Sequence, residues 1–117
     1  MSRKVKVSDV RQGVTLYYVH AFPHKGLPSR IDTFVVTKRP ESMFAVAKIF
    51  FDDELGTGWF TRLFSLRDAG IIPNSYNFHK TFTSLKAAKL YAARMDRKCL
   101  TKQEREKVLR RQELSYG

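Results

Sequence analysis

Residues 76–99 read YNFHKTFTSLKAAKLYAARMDRKC, and two successive periods in this stretch decide the fold. Tyr76, Phe78, Lys80 and Phe82 alternate with Asn77, His79 and Thr81. A period of two is that of a strand, here with aromatics on one face. Thr83 and Ser84 then offer hydroxyl oxygens to the free N–H groups of a helix start. From Leu85 the period lengthens. Leu85, Ala88, Tyr91, Ala92, Met95 and Cys99 form one stripe of a helical wheel, while Lys86, Lys89, Arg94, Arg97 and Lys98 form the other; Leu90 is out of place. A strand that runs into a helix with an apolar underside and a basic back needs a sheet beneath that underside.

The remainder of the chain reads as that sheet. Residues 3–7 alternate charge with valine, as a short edge strand blunted by lysines would. Residues 9–13 form a turn, with Gly13 suited to positive φ. Residues 14–22, VTLYYVHAF, are a strand apolar on both faces and hence central. After a loop at 23–29, residues 30–38 return as its hairpin partner, with His24 and Lys25 at the loop tip. A turn at 39–42 leads to a third strand over 43–51, although a short buried helix fits that pattern too. Asp52, Asp53 and Glu54 end it, Gly56 and Gly58 supply flexibility, and residues 59–66 read as a fourth strand. Ser65 to Asp68 before Gly70 reads as one capped helical turn closed by glycine. Beyond Cys99, Thr101-Lys102-Gln103-Glu104 is a capping box, and helix formers continue to Glu113. With Val108, Leu109 and Leu114 its only apolar residues, this last helix buries little. The predicted fold is α+β: one antiparallel sheet of four to five strands, a C-terminal amphipathic helix packed on one face, and a polar last helix. Residues 1–100 are expected to form the core domain, with 101–117 projecting or ordering on a partner.

Composition sets the partner class. At 117 residues with 43% hydrophobic and 13% aromatic side chains, the chain can build one real core. A single cysteine excludes an internal disulfide and a cysteine-based zinc site and suits a reducing compartment; Cys99 reads as a small buried hydrophobe. There is no apolar run of about 18 residues and no apolar signal segment behind the N-terminal charges, so a soluble, cytoplasmic protein is expected. The formal charge is +11, and it is uneven. Residues 1–40 carry eight basic and two acidic residues, 41–75 three and five, and 76–117 eleven and four. An excess of that size attracts polyanions, with DNA and RNA foremost.

The expected binding residues are therefore cations from distant parts of the chain: Arg3, Lys4, Lys6, Arg11, Lys25, Lys38, Arg39, Lys86, Lys89, Arg94, Arg97 and Lys98. Tyr17, Tyr18, Trp59 and Tyr76 are the aromatic candidates for base stacking or for anchoring a protein partner. Phe22, Phe34, Phe44, Phe50, Phe78 and Phe82 are assigned to the core by residue type. The Gly-Phe-Gly-Phe run of RNA-recognition sheets is absent. His20, His24 and His79 show no helical metal spacing, and no nucleophile elbow, P-loop or dinucleotide fingerprint is present. No cofactor and no metal are expected.

Phe78-His79-Lys80-Thr81-Phe82-Thr83-Ser84 running into a helix with Ala87, Ala88 and Tyr91, together with the strand Gly13-Val14-Thr15-Leu16-Tyr17, resembles small basic accessory proteins of tailed bacteriophages over residues 13–99. Such a resemblance implies a protein that binds nucleic acid or a host machine. Three readings follow. In the first, a non-enzymatic protein holds nucleic acid by its backbone phosphates. In the second, a host-takeover inhibitor docks its basic face on an acidic host protein, for example a defence, transcription or translation factor. In the third, a small Mg²⁺-dependent nuclease uses Asp52, Asp53, Glu54 or His79.

Overall fold

A computed structural model of the chain describes residues 5–72, 78–98, 103, 104, 106, 107 and 110, with His24 in its backbone alone. Five strands form one antiparallel sheet: β1 (Thr15–Phe22), β2 (Leu27–Glu41), β3 (Phe44–Asp53), β4 (Gly56–Ser65) and β5 (Lys80–Phe82). Their order across the sheet is β4-β3-β2-β1-β5. One helix, α1 (Leu85–Arg97), follows β5 at once, and the Ser84 hydroxyl accepts from the Ala87 N–H as its cap. This is the α+β arrangement the periods predict.

β1 is buried on both faces, as its doubly apolar pattern requires. Val19 and Ala21 turn toward α1, where Ala88, Ala92 and Met95 cover them and Phe82 closes the flank. Leu16 and Tyr18 turn the other way, into a second core with Phe34, Val36, Ala45, Ala47, Ile49, Phe64 and Leu66. Tyr18, Phe34 and Phe64 pack ring on ring there, with centroids 4.9 to 6.1 Å apart.

The cover of this second core corrects the reading of the N-terminus as an edge strand. Val5 and Val10 are buried in it, whereas Val7 is exposed and lies in a 3₁₀ turn, Val7–Asp9. The Asp9 carboxylate accepts from the Lys6 N–H at 2.8 Å, which bends the chain and lets two valines five apart plug one site. The turn at 66–70 supplies the remaining cover through Leu66, Ala69 and Ile71. Its reading as a capped turn holds: Ser65 Oγ accepts from the Asp68 N–H, and Gly70 closes it at φ +75°.

Other boundaries move. β2 runs on through residues 39–41 of the expected turn at 39–42, and the reversal is confined to its last residue, Ser42, the one described non-glycine residue at positive φ (+59°), and the residue after it. Register shifts between Val36 and Glu41 absorb the extra length. The loop tip at 23–25 is a 3₁₀ turn, Pro23–Lys25. β5 has three residues, with Phe78 and His79 outside it. Leu85 is half-exposed although its wheel position points inward, and Leu90 is exposed as its wheel position predicts. Gln103, Glu104, Glu106, Lys107 and Arg110 are helical and exposed, in keeping with a polar last helix; Cys99 and the capping box from Thr101 lie outside the described residues.

Gly70 is the tightest backbone position. A Cβ added there would collide with the carbonyl oxygen of His79, in a conformation that already favours glycine. Gly70→Ala is expected to lower the unfolding free energy by more than about 1 kcal/mol. The loss should exceed that of Gly13→Ala, where φ is +87° but nothing lies within 4 Å of an added Cβ. Urea denaturation of the two variants measures the difference.

Candidate nucleic-acid interface

The short reach of β5 and the cap at Ser84 place the first turns of α1 beside the sheet edge, and a groove of about 650 Å³ opens between them. Lys80 and Phe82 of β5 line one wall, and Lys86, Leu90, Tyr91 and Arg94 of α1 the other. The Tyr91 ring is its centre. Lys80 Nζ lies 5.5 Å from that ring's centroid and 5.6 Å from that of Phe82, while Arg94 Cζ lies 5.3 Å from Tyr91. The Phe82 and Tyr91 rings are 5.4 Å apart. The Tyr91 hydroxyl donates to the Phe78 carbonyl at 2.7 Å. Burial pushes its pKa above the ordinary tyrosine value, with the Arg94 charge opposing, so it stays a neutral donor at physiological pH.

Cations continue down the helix. Lys89, Arg97 and Lys98 are exposed, and Lys98 Nζ lies 5.2 Å from the centre of the Phe78 ring. Among the described residues none of these α1 cations pairs with a carboxylate. Asp96, the one acid of α1, instead accepts from the Ser29 N–H at 2.7 Å, tying the helix to β2. A cleft formed by Pro23, Gly26, Leu27 and Pro28 with Met95, Asp96 and Lys98 brings the turn that carries Lys25 to the same end of α1. Lys38 opposes Val46 and so faces the α1 side of the sheet, with Arg39 exposed beside it.

Other expected residues do not join this face. Lys6 and Arg11 belong to the segment packed over the opposite core. Tyr18 is 8% exposed, so its assignment as a stacking residue is corrected: its place on the inward face of a doubly buried strand commits it to the core. Tyr17 is half-buried at the edge of the helix-side core. Trp59 is 47% exposed, at the other end of the sheet on β4. Arg3, Lys4 and Tyr76 lie outside the described residues, as does the His24 side chain. Phe44 and Phe50, assigned to the core by residue type, are exposed on the half of the sheet that α1 does not reach. The groove's own residues, Lys80 and Tyr91, are absent from the predicted set. The signal for them is the shared parity of Lys80 with Phe82 and the three-residue step from Tyr91 to Arg94.

The titratable groups split in two. The Asp53 carboxylate accepts from the Leu55 N–H and that of Asp52 from the Thr57 hydroxyl, so both serve the β3–β4 hairpin. His79 precedes β5, at the opposite edge of the sheet. A second group forms on the face away from α1. The Tyr18 hydroxyl donates to the Asp68 carbonyl at 3.1 Å, and its oxygen, 2.9 Å from His79 Nδ1, is left to accept from that ring. His20 stacks on Tyr18 at 4.0 Å and brings Nε2 within 2.6 Å of Asp32 Oδ2, a close polar contact outside hydrogen-bond alignment. Among the described residues no cluster of histidine, cysteine and carboxylate groups is set to hold a metal ion.

A five-stranded antiparallel sheet with a single covering helix and an aromatic groove walled by cations defines the class: a small basic α+β protein with a positively charged helix face. The chain belongs to the Phage g100-like protein family, whose model matches residues 4–95, and it is thus a phage protein. No curated protein and no solved structure matches it. No helix of the described residues is long and apolar enough to cross a membrane.

Burial raises the pKa of Asp32, but the contact with His20 and its charge, with those of Arg30 and Arg62, outweigh burial and hold the carboxyl below its ordinary value. A carboxylate lowered in this way stabilises the fold above the ordinary carboxylate pKa of about 3.9, and the contribution fades as pH falls through the folded value. Asp32→Asn is therefore expected to flatten the acid limb of the stability curve below about pH 4. Thermal melts across that range check it.

Proposed function

We propose that the protein binds nucleic acid without sequence readout, laying the phosphate backbone along the outer face of α1 and a base or sugar against Tyr91 in the groove. The observation that carries this reading is the row Lys80, Lys86, Lys89, Arg94, Arg97 and Lys98, unopposed by carboxylates among the described residues and set against the half-buried rings of Tyr91 and Phe78. Unpaired cations release counterions from a polyanion when they dock, whereas cations already in ion pairs gain little. The half-buried ring of Tyr91 offers apolar surface that a base can cover, and stacking of that kind tolerates any sequence. Positioning by phosphates alone gives no choice between DNA and RNA, so single strands that can splay their bases are the favoured form.

The proposed role involves no bond-breaking chemistry. The acids of the β3–β4 hairpin cap their own turn, and His79 is held by Tyr18 at the far edge, so the groups that a nuclease would need stand apart. A phage product of this kind would coat or mask a polynucleotide rather than cut it.

Fluorescence polarisation with a labelled single strand at several salt concentrations tests the proposal. Log K should fall linearly with log salt, and Lys86→Gln or Lys89→Gln should each reduce the slope by about 1. Both side chains are exposed and leave the fold untouched. Equal, negligible binding at low and high salt rejects the reading. Capture of an acidic host protein that survives nuclease treatment would move the same face to the inhibitor reading instead.

A further inference from the structure

The half of the sheet that α1 leaves bare ends in an unprotected strand. α1 packs chiefly on β1, β2 and β5. On the same face of β3 and β4, Phe50 stands opposite Trp59 and Val46 opposite Leu63, and Leu63 is 66% exposed. Natural edge strands are blunted by proline, lysine, bulges or shortness. β4 has none of these: it is 10 residues long, pairs with β3 in an unbroken register from Phe44↔Ser65 to Asp53↔Gly56, and carries one charge, Arg62. Among the described residues no strand pairs with its outer edge.

We propose that this edge pairs antiparallel with β4 of a second copy, about a twofold axis at Thr61, to form a continuous ten-stranded sheet. β4 is self-complementary in that register. With Thr61 opposite itself, Trp59 meets Leu63 of the second copy and Phe60 meets Arg62, each contact occurring twice. Apolar side chains thus cover each other on the α1 side, and a guanidinium lies on a ring on the other. Charge favours the same contact. Residues 41–75 are the one segment with more acids than bases, so the two copies join at the surface that repels least. The register also carries the acidic tip, Asp52 to Glu54, to the end of β4 that leads into Arg67. An axis perpendicular to the sheet leaves both helices on one side, with their basic faces outward. The pairing requires no ligand and stands whether or not the groove binds nucleic acid.

Sedimentation equilibrium of the full chain, without nucleic acid, should give twice the 13.6 kDa of one chain, and Leu63→Lys should return it to a single chain with unchanged circular dichroism. Thr61→Cys, in a Cys99→Ser background, provides a second measurement. Directly opposed Cα atoms in an antiparallel pair lie about 4.5–5.5 Å apart, within the span of about 4.4–6.8 Å that a disulfide bridges, so mild oxidation should cross-link two chains at this residue. A wild-type chain that stays monomeric overturns the proposal. So does a dimer that persists with Leu63→Lys, or one in which Thr61→Cys does not cross-link.

Discussion

The structure depends on a strand with no face left for water. β1 presents Leu16 and Tyr18 to one side and Val19 and Ala21 to the other, all buried. Fully burying a side chain of this size gains about 1.5–3 kcal/mol relative to leaving it in water, so both sides must be covered before the strand contributes its full share. The chain meets this with two unlike covers. An amphipathic helix closes one side, and two irregular pieces, the N-terminal segment and the turn at 66–72, close the other. The result is three layers, of which one has almost no regular structure.

That asymmetry explains what the residues disclosed. β1, its hairpin with β2, and α1 were all legible, because a period of 2 or 3.6 forces a face and each of these elements has one. The irregular cover was not. Val5 and Val7 share a face in a strand, and only the Asp9 carboxylate on the Lys6 N–H makes Val5 and Val10 the pair that points inward. Phe44 and Phe50 were misplaced for another reason. Residue type favours burial, but burial requires something to lie on top, and a helix of 13 residues packs chiefly on three of five strands. Tyr18 shows the converse: its hydroxyl finds partners within the core, so its polar tip did not keep it at the surface.

The basic groove was legible in half. The helix back announced its cations by spacing, yet Lys80 comes from the neighbouring strand, and Tyr91 sits at the rim of the apolar stripe. What ties them is the hydrogen bond from the Tyr91 hydroxyl to the Phe78 carbonyl, a contact between the helix and the segment leading into β5 that no local period reveals. The Tyr91 ring is thereby fixed against the chain entering β5, so the groove's width follows the packing of α1 on β5 and on the residues just before it.

The sheet also acts as a partition. Because the backbone of β1 separates the Leu16 cluster from the Val19 cluster, no side chain is shared between the two cores. Substitutions taken one from each, and more than about 7–10 Å apart, should add in their effects. A change in the layer under the helix can thus reshape the groove without repacking the layer on the other side.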